Sequence, residues 1–433
     1  RIKVLHHNFF TSGIGYLKLL FNTDAVPQED LPYVGLLKSV LGSVSTEKYD
    51  YSDLTSEIHL NSGGVDFGVT SYVDLNDPDK FTGVFVGSVR VLYDRLDFGF
   101  GILEEILNHS VFTDEKRLGE VIQEIRSRAK MKLESAGHST AVSRATSYFS
   151  ATAYYNEMTA GVSYYHFVEQ IAKNYETEKT ALVAKLEEVC KKLFTRENLL
   201  ISYTADDEGY AKLPETMKLL TEKLPEGSGE HFAFTHPVEN INEGLKTAAQ
   251  VDYVARCGSF RKSGLAYTGA LKILQVILSY DYLWLNIRVK GGAYGCMSGF
   301  GRSGEGYLVS YRDPNLKETN EIYEGIPEYL RQFNPDDRDM TKYVIGTISN
   351  MDTPLTPSVK GSRGLSAYLS GVTEEMMQKE RDEVLTATKE DIRALADIVQ
   401  AVLDTGSFCV VGNEEKIEAN REMFGSVESL SRA

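Results

Sequence analysis

The chain has 433 residues, 42% of them hydrophobic and 25% charged, with a formal net charge of -16. That length and content suffice for two or three domains with their own cores and set aside disorder as the default. The negative balance argues against a nucleic-acid surface, which needs clustered Lys and Arg, and there is no run of about 18 apolar residues to span a bilayer.

The opening, RIKVLHHNFF, begins at once as strand-like sequence, without an initiator Met or the apolar core of a signal peptide; the expectation is a chain cut from something longer. Residues 13 to 22, GIGYLKLLFN, alternate as a strand. Asp30 and Pro32 then open a helix whose apolar face runs through Tyr33, Val34, Leu37, Val40 and Leu41. From Asn61, NSGGVDFGVTSYVDL suggests a strand pair about a glycine turn, and FTDEKR at 112 to 117 an acidic turn. SRATSYFS follows at 143 to 150, and from Leu186 a helix runs straight into the strand-like LLISYT.

The second half repeats this order. VDYVARCGSF at 251 to 260 reads as strand, LAYTGALKILQVILSYDYLW at 265 to 284 as a long buried helix, and AYGCMSGFGRSGEGYLVSYRD from Ala293 as a strand pair around a glycine turn. NPDDRD at 334 to 339 and SRGLSAYLS at 362 to 370 answer the earlier motifs. The last helix opens on Thr388 with Asp391 as an N-cap pair, buries Ile392, Leu395, Ala396, Val399, Val402 and Leu403 along one face, and stops at Gly406. A period near 220 residues is a domain duplication rather than a solenoid, with the Pro-, Gly- and Ser-containing segment 222 to 237 as linker. The predicted class is α+β: two homologous repeat domains, 1–226 and 240–433, joined by 227–239, each a mainly antiparallel sheet with helices on one face.

Cys190, Cys257, Cys296 and Cys409 are scattered without C-x-x-C spacing, which points to no disulfide framework and to the cytoplasm or another reducing compartment such as an organellar matrix. Gly299, Gly301 and Gly304 match G-x-G-x-x-G, but the flank after them is strand-like, so the run is a hairpin tip and not a nucleotide loop. Just upstream, Arg288 and Tyr294 bracket Gly291 and Gly292. A strand entered through two glycines leaves room for a second backbone, which suits substrate binding of an extended peptide, and the Arg–Tyr spacing could aim a cation and a phenol into one site. By spacing alone the same pair is also an ordinary turn with a snorkelling Arg.

Arg288-Val-Lys-Gly-Gly-Ala-Tyr294-Gly, with Ser310-Tyr-Arg-Asp-Pro-Asn315 after it, resembles the C-terminal half of the presequence-protease branch of the pitrilysin and insulin-degrading-enzyme metallopeptidases. TSGIGYLKLLFNTDAVPQEDLPYVGLL and EKYDYSDLTSEI are similar to the third repeat domain of that branch. The resemblance implies four homologous domains closing as a clamshell around a chamber that degrades peptides, and a zinc ion held elsewhere, by H-x-x-E-H in the first domain. No H-x-x-E-H occurs here. His166-Phe-Val-Glu169-Gln170 comes nearest and is expected to be a surface-helix coincidence, while His6, His7, His231 and His236 read as ordinary polar positions. No metal is therefore expected in this chain; zinc belongs to the N-terminal half of the same polypeptide or to a catalytic subunit. What transfers by resemblance is a pair of catalytic residues: Tyr294 as donor to the carbonyl oxygen that gains charge, and Arg288 holding a substrate carbonyl. The alternative is a non-catalytic scaffold or partner subunit, for which an Arg–Tyr pair in register with a glycine-rich strand has no chemical use. Acidic residues lining the chamber would favour basic peptides.

Overall fold

Strand β2 (Ile14–Asn22) shows how the first sheet forms: Leu17, Leu19 and Phe21 alternate into the main core of the first half, while Leu20 points to the opposite face. The computed structural model describes residues 1–432. Strands β1 (Lys3–Asn8), β2, β3 (Gly64–Val73), β4 (Phe81–Leu92) and β5 (Leu199–Ala205) make a sheet of order β1-β5-β2-β4-β3. Only the β1–β5 pair is parallel. In the second sheet, β6 (Glu243–Thr247), β7 (Asp252–Ser259), β8 (Gly295–Phe300), β9 (Glu305–Tyr311) and β10 (Ser407–Asn413) take the order β6-β10-β7-β9-β8, and β11 (Ser426–Ser429) adds a strand beyond β6. Strand for strand, and with the same single parallel pair, this repeats the first sheet; β11 joins parallel to β6. Two mainly antiparallel sheets covered by helices are the α+β architecture expected from the sequence.

One expectation changes. Gly63 and Gly64 stand at the entrance to β3, not at a hairpin tip; β3 is a single strand that reaches β4 through a turn at 74 to 80. The glycine run at 299 to 304 is a hairpin tip between β8 and β9, with Gly304 at φ +83°. The two acidic turns are helix N-caps. Asp114 accepts from the Arg117 amide and Asp336 from the Asp339 amide. Thr388 and Asp391 form a reciprocal capping box.

The echoed serine motifs have a role that the sequence did not disclose. Helices α1 (Leu31–Val40), α2 (Glu115–Ser135), α3 (Gly137–Ser147) and α4 (Ala151–Ala160) belong to the first half, and α5 (Ala270–Ile277) and α6 (Pro357–Ser370) to the second. Yet α3 lays Ala141 and Ala145 against Ala255, Cys257 and Cys409 of the second sheet. In return α6 lays Leu365 against Leu20 and Val84 of the first. Small residues make the close approach: a Cβ at Gly361 would collide with Thr204 Oγ1, and one at Gly137 with the Tyr253 ring. Arg144 of α3 completes the exchange in a buried ion-pair triad. Its Nε donates to Glu243 at 2.7 Å and its Nη1 to Glu157 at 3.0 Å. Residues 225 to 242 carry neither helix nor strand, and Phe232 and Thr235 there bond back to Asp24 and Gln28. Among the described residues no helix is long and apolar enough to cross a membrane.

Candidate functional site

The helix expected at 265 to 284 begins at Ala270 and does not stop at Ile277; it continues as π-helical turns over Leu278–Tyr282 and Trp284–Val289. The cause is legible in the side chains. Leu278, Leu283 and Ile287 are fully buried and spaced five and four apart, wider than the 3.6 of an α-helix, so π winding keeps all three on the core face. The opposite face is not buried as expected: Tyr280 is 74% exposed, Trp284 46% and Val289 58%. Such π turns are rare and are frequently found at functional sites.

Arg288 lies in the last of these turns. Its guanidinium stacks 4.6 Å from the Trp284 ring centroid and 5.6 Å from that of Tyr294, and Nη1 donates to the Tyr294 carbonyl at 2.7 Å. Arg288 and Tyr294 are thus brought together, both exposed, at the rim where the helix gives way to β8. The Tyr294 ring is 63% exposed, and its hydroxyl has no hydrogen-bond partner among the described residues. Gly291 and Gly292 form the intervening turn rather than part of a strand. Each has a reason within the chain: a Cβ at Gly291 would meet the Ile287 carbonyl oxygen at 2.5 Å, and Gly292 has φ +83°.

The second motif, Ser310 to Asn315, faces this turn from β9. The Tyr294 amide bonds the Tyr311 carbonyl at 3.0 Å, and the Asn315 side chain donates to the Gly291 carbonyl at 2.6 Å. Arg312, a non-glycine residue at φ +47°, holds its guanidinium 5.8 Å from the Tyr294 centroid and 5.4 Å from that of Tyr311. The neighbouring phenols of Tyr253, Tyr311 and Tyr294 hold Arg312 still more firmly in its charged form. Arg312 and Trp284 thus join the candidate site, which reasoning from Arg288 and Tyr294 alone missed, although Arg312 lies inside the Ser310–Asn315 motif. Beneath them Asp252 and Asp313, both fully buried, bridge β7 to the end of β9 through paired backbone hydrogen bonds of 2.8 Å. Burial pushes the Asp252 carboxyl up to about 7, and Asp313 adds to the rise while Lys416 opposes it. Burial likewise raises Asp313 against hydrogen bonds from Thr319 and the Asn315 amide.

The remaining sequence candidates are structural. His166 and Glu169 are not a surface coincidence: His166 bonds the Leu430 carbonyl at 2.8 Å, and buried Glu169 accepts from Tyr165, Ser431 and the Arg432 amide, tying down the end of the chain. His6 stacks on Tyr210, His7 bonds Ser202, His231 pairs with Asp24 and His236 bonds the Ser147 carbonyl. Among the described residues Glu104, Glu105 and His109 form one group of metal-ligand types. There both His109 nitrogens are already taken, by Glu104 at 3.0 Å and Glu47 at 3.1 Å.

Comparison with known proteins agrees with the fold and the motifs. Residues 1–171 match the family of domains associated with subgroup C of the M16 peptidases, and residues 242–414 match the PreP C-terminal domain. The chain belongs to the presequence-protease-like M16 peptidases, in the part that forms their C-terminal half. It is 39% identical over 429 residues to Protein HypA of Clostridium perfringens, covering 99% of this chain and 44% of that protein. Over 421 residues it is 30% identical to Presequence protease 1, chloroplastic/mitochondrial, of Arabidopsis thaliana, covering 96% of this chain and 39% of that one. It therefore spans less than half the length of these two relatives. The solved structure of a peptidase M16 inactive domain from Pseudomonas fluorescens superimposes with a TM-score of 0.63 at 15% identity, over 95% of this chain and 94% of that one, and so shares the fold.

Proposed function

We propose that this chain is the half of a zinc-dependent endopeptidase that holds no metal, lending Arg288 and Tyr294 to a peptide-degrading site completed by the upstream half of the polypeptide or by a catalytic subunit. The observation that carries this reading is the rim itself: a phenol without a hydrogen-bond partner among the described residues and a guanidinium beside it, both turned outward from a helix–turn–strand junction. A pure scaffold has no use for that arrangement. The rim does not suit the ion, since Trp284, Arg288, Tyr294, Tyr311 and Arg312 offer neither carboxylate, imidazole nor thiolate. Zinc bound in the other half would supply the polarising cation and the activated water. This chain's part is to donate a hydrogen bond from Tyr294 to the carbonyl oxygen as negative charge grows there, and to orient the substrate backbone with the free N–H groups of Arg288. Gly291 and Gly292 keep the adjoining turn free of side chains, open to an extended peptide. Residues 1–226 and 240–433 act as the two repeats, joined by 227–239, a division supported by the matching strand orders.

The test joins the chain to its upstream region and compares wild type with Tyr294→Phe on an unstructured peptide. Losing one such donor lowers kcat by about a hundredfold or more and leaves KM nearly unchanged. Wild-type turnover in the variant would remove Tyr294 from the chemistry, and a joined protein without peptidase activity would favour the scaffold.

A further inference from the structure

A cavity of about 390 Å³ lies between α1, α2, α3 and α4, and none of the rim residues Trp284, Arg288, Tyr294, Tyr311 and Arg312 lines it. Its volume falls within the ~300–1,000 Å³ typical of small-molecule sites. One wall is apolar: Val121, Ile125, Ala129 and Leu133 recur every four residues along α2, opposite the Tyr164 ring. Lys38 closes one end. Its Nζ donates to the Thr159 carbonyl at 2.5 Å and stands 4.1 Å from the Tyr164 ring centroid. That leaves ammonium N–H groups over, because a lysine carries three.

Neither Lys38 nor Lys132, which lines the same cavity, forms an ion pair among the described residues. The carboxylates facing them from α2 and α4 are already engaged: Glu124 with Arg128, and Glu157 with Arg144 and the Val162 amide. Two amines therefore meet at this cavity, Lys38 within it and Lys132 at its exposed edge, without an ion-pair partner of their own among the described residues. We infer that this cavity binds a small carboxylic acid with an apolar body, its carboxylate between Lys38 and Lys132 and its hydrocarbon along the α2 stripe. A single negative charge satisfies the amines, and the wall rewards carbon rather than a second charge. Burial, reinforced by the charge of Lys132, lowers the empty-site Lys38 amine to about 7, so a bound anion draws a proton onto it.

The test is calorimetric titration of the purified protein with octanoate at pH 7.5, with octan-1-ol and octyltrimethylammonium as neutral and cationic controls. Octanoate is expected to bind at one site at least tenfold more tightly than either control. Its heat is expected to vary with the ionisation enthalpy of the buffer, as proton uptake requires. Lys38→Met should weaken octanoate by about tenfold or more, equivalent to ~1.4 kcal/mol, and abolish the buffer dependence. Lys132→Met, at an exposed position where folding is not at stake, should weaken it by at least threefold. Absence of octanoate binding, equal binding of octan-1-ol, or wild-type affinity in both lysine variants would overturn the inference, and a Lys38 that serves only to cap the end of α4 predicts the first of these.

Discussion

Replacing Asp252 by Asn tests whether the floor beneath the Tyr294 turn is built on a protonated carboxyl. Asp252 is fully buried, accepts one hydrogen bond at 2.9 Å from the Asn413 amide, and has no partner for Oδ2 among the described residues. Burial is the main reason that its carboxyl titrates near 7 in place of the usual 3.8. The folded value lies above the unfolded one, so the folded state binds the proton more tightly. The resulting stabilisation is complete below the unfolded value and is lost as pH rises through 7. At 1.36 kcal/mol per pH unit between the two values, the wild-type contribution falls by roughly 2.6 kcal/mol from pH 5 to pH 8. Asn is neutral at both pH values and keeps an acceptor for the Asn413 amide. Urea unfolding at pH 5 and pH 8 isolates the effect, since every other titrating group largely cancels between variant and wild type. The variant should gain about 2–3 kcal/mol relative to wild type between the two conditions, and relief of Asp313 from its neighbour's charge acts in the same direction. A variant-minus-wild-type difference unchanged within about 0.5 kcal/mol would refute the reasoning.

Two further predictions concern the contact between the halves. Arg144→Met leaves Glu157 and Glu243 buried without their cation and should destabilise the protein by roughly 3–5 kcal/mol in urea unfolding; a loss under about 1 kcal/mol would mean that the triad is not electrostatically coupled. Gly361→Ala drives a methyl into Thr204 and should cost about 1–3 kcal/mol, most of it recovered in the double variant with Thr204→Ala. Additive costs in the double variant would show that α6 does not dock through this contact.

Much of the fold could be read from residue patterns because they are local. Alternation in Ile14–Asn22 fixes a strand whichever sheet it joins, and the Thr388–Asp391 capping box starts a helix whatever lies above it. What could not be read depends on partners distant in the chain. Nothing in SRATSYFS tells that its helix covers the other half's sheet, and Glu169 looks like a surface residue until Ser431 arrives from 262 positions away. The π turns were missed for a different reason. An apolar run read at a period of 3.6 predicts a buried cylinder, whereas the five-and-four spacing of Leu278, Leu283 and Ile287 widens the helix and turns Trp284 outward. The Arg288–Tyr294 pair was accessible because six residues of turn bring the two together with no long-range contact; Arg312 joins them only through the β8–β9 pairing.

The exchanged helices connect these observations. His138, on α3 of the first half, meets the Tyr311 ring edge-on at 5.0 Å, and Tyr311 in turn lies 6.2 Å from Tyr294. The first half therefore buttresses a rim whose every other component comes from the second. The same exchange forbids a clean division of the chain. Residues 240 to 433 alone would lose α3 and bare Ala255, Cys257, Val309, Cys409 and Val411, a contiguous apolar sheet face. That fragment should be insoluble or self-associated when expressed alone and should be recovered as a soluble complex with residues 1 to 239, as light scattering after co-expression would reveal. A monomeric, cooperatively unfolding 240–433 fragment would show that each sheet is finished without the other's helix, and the mechanical link from His138 through Tyr311 to Tyr294 would lose its basis.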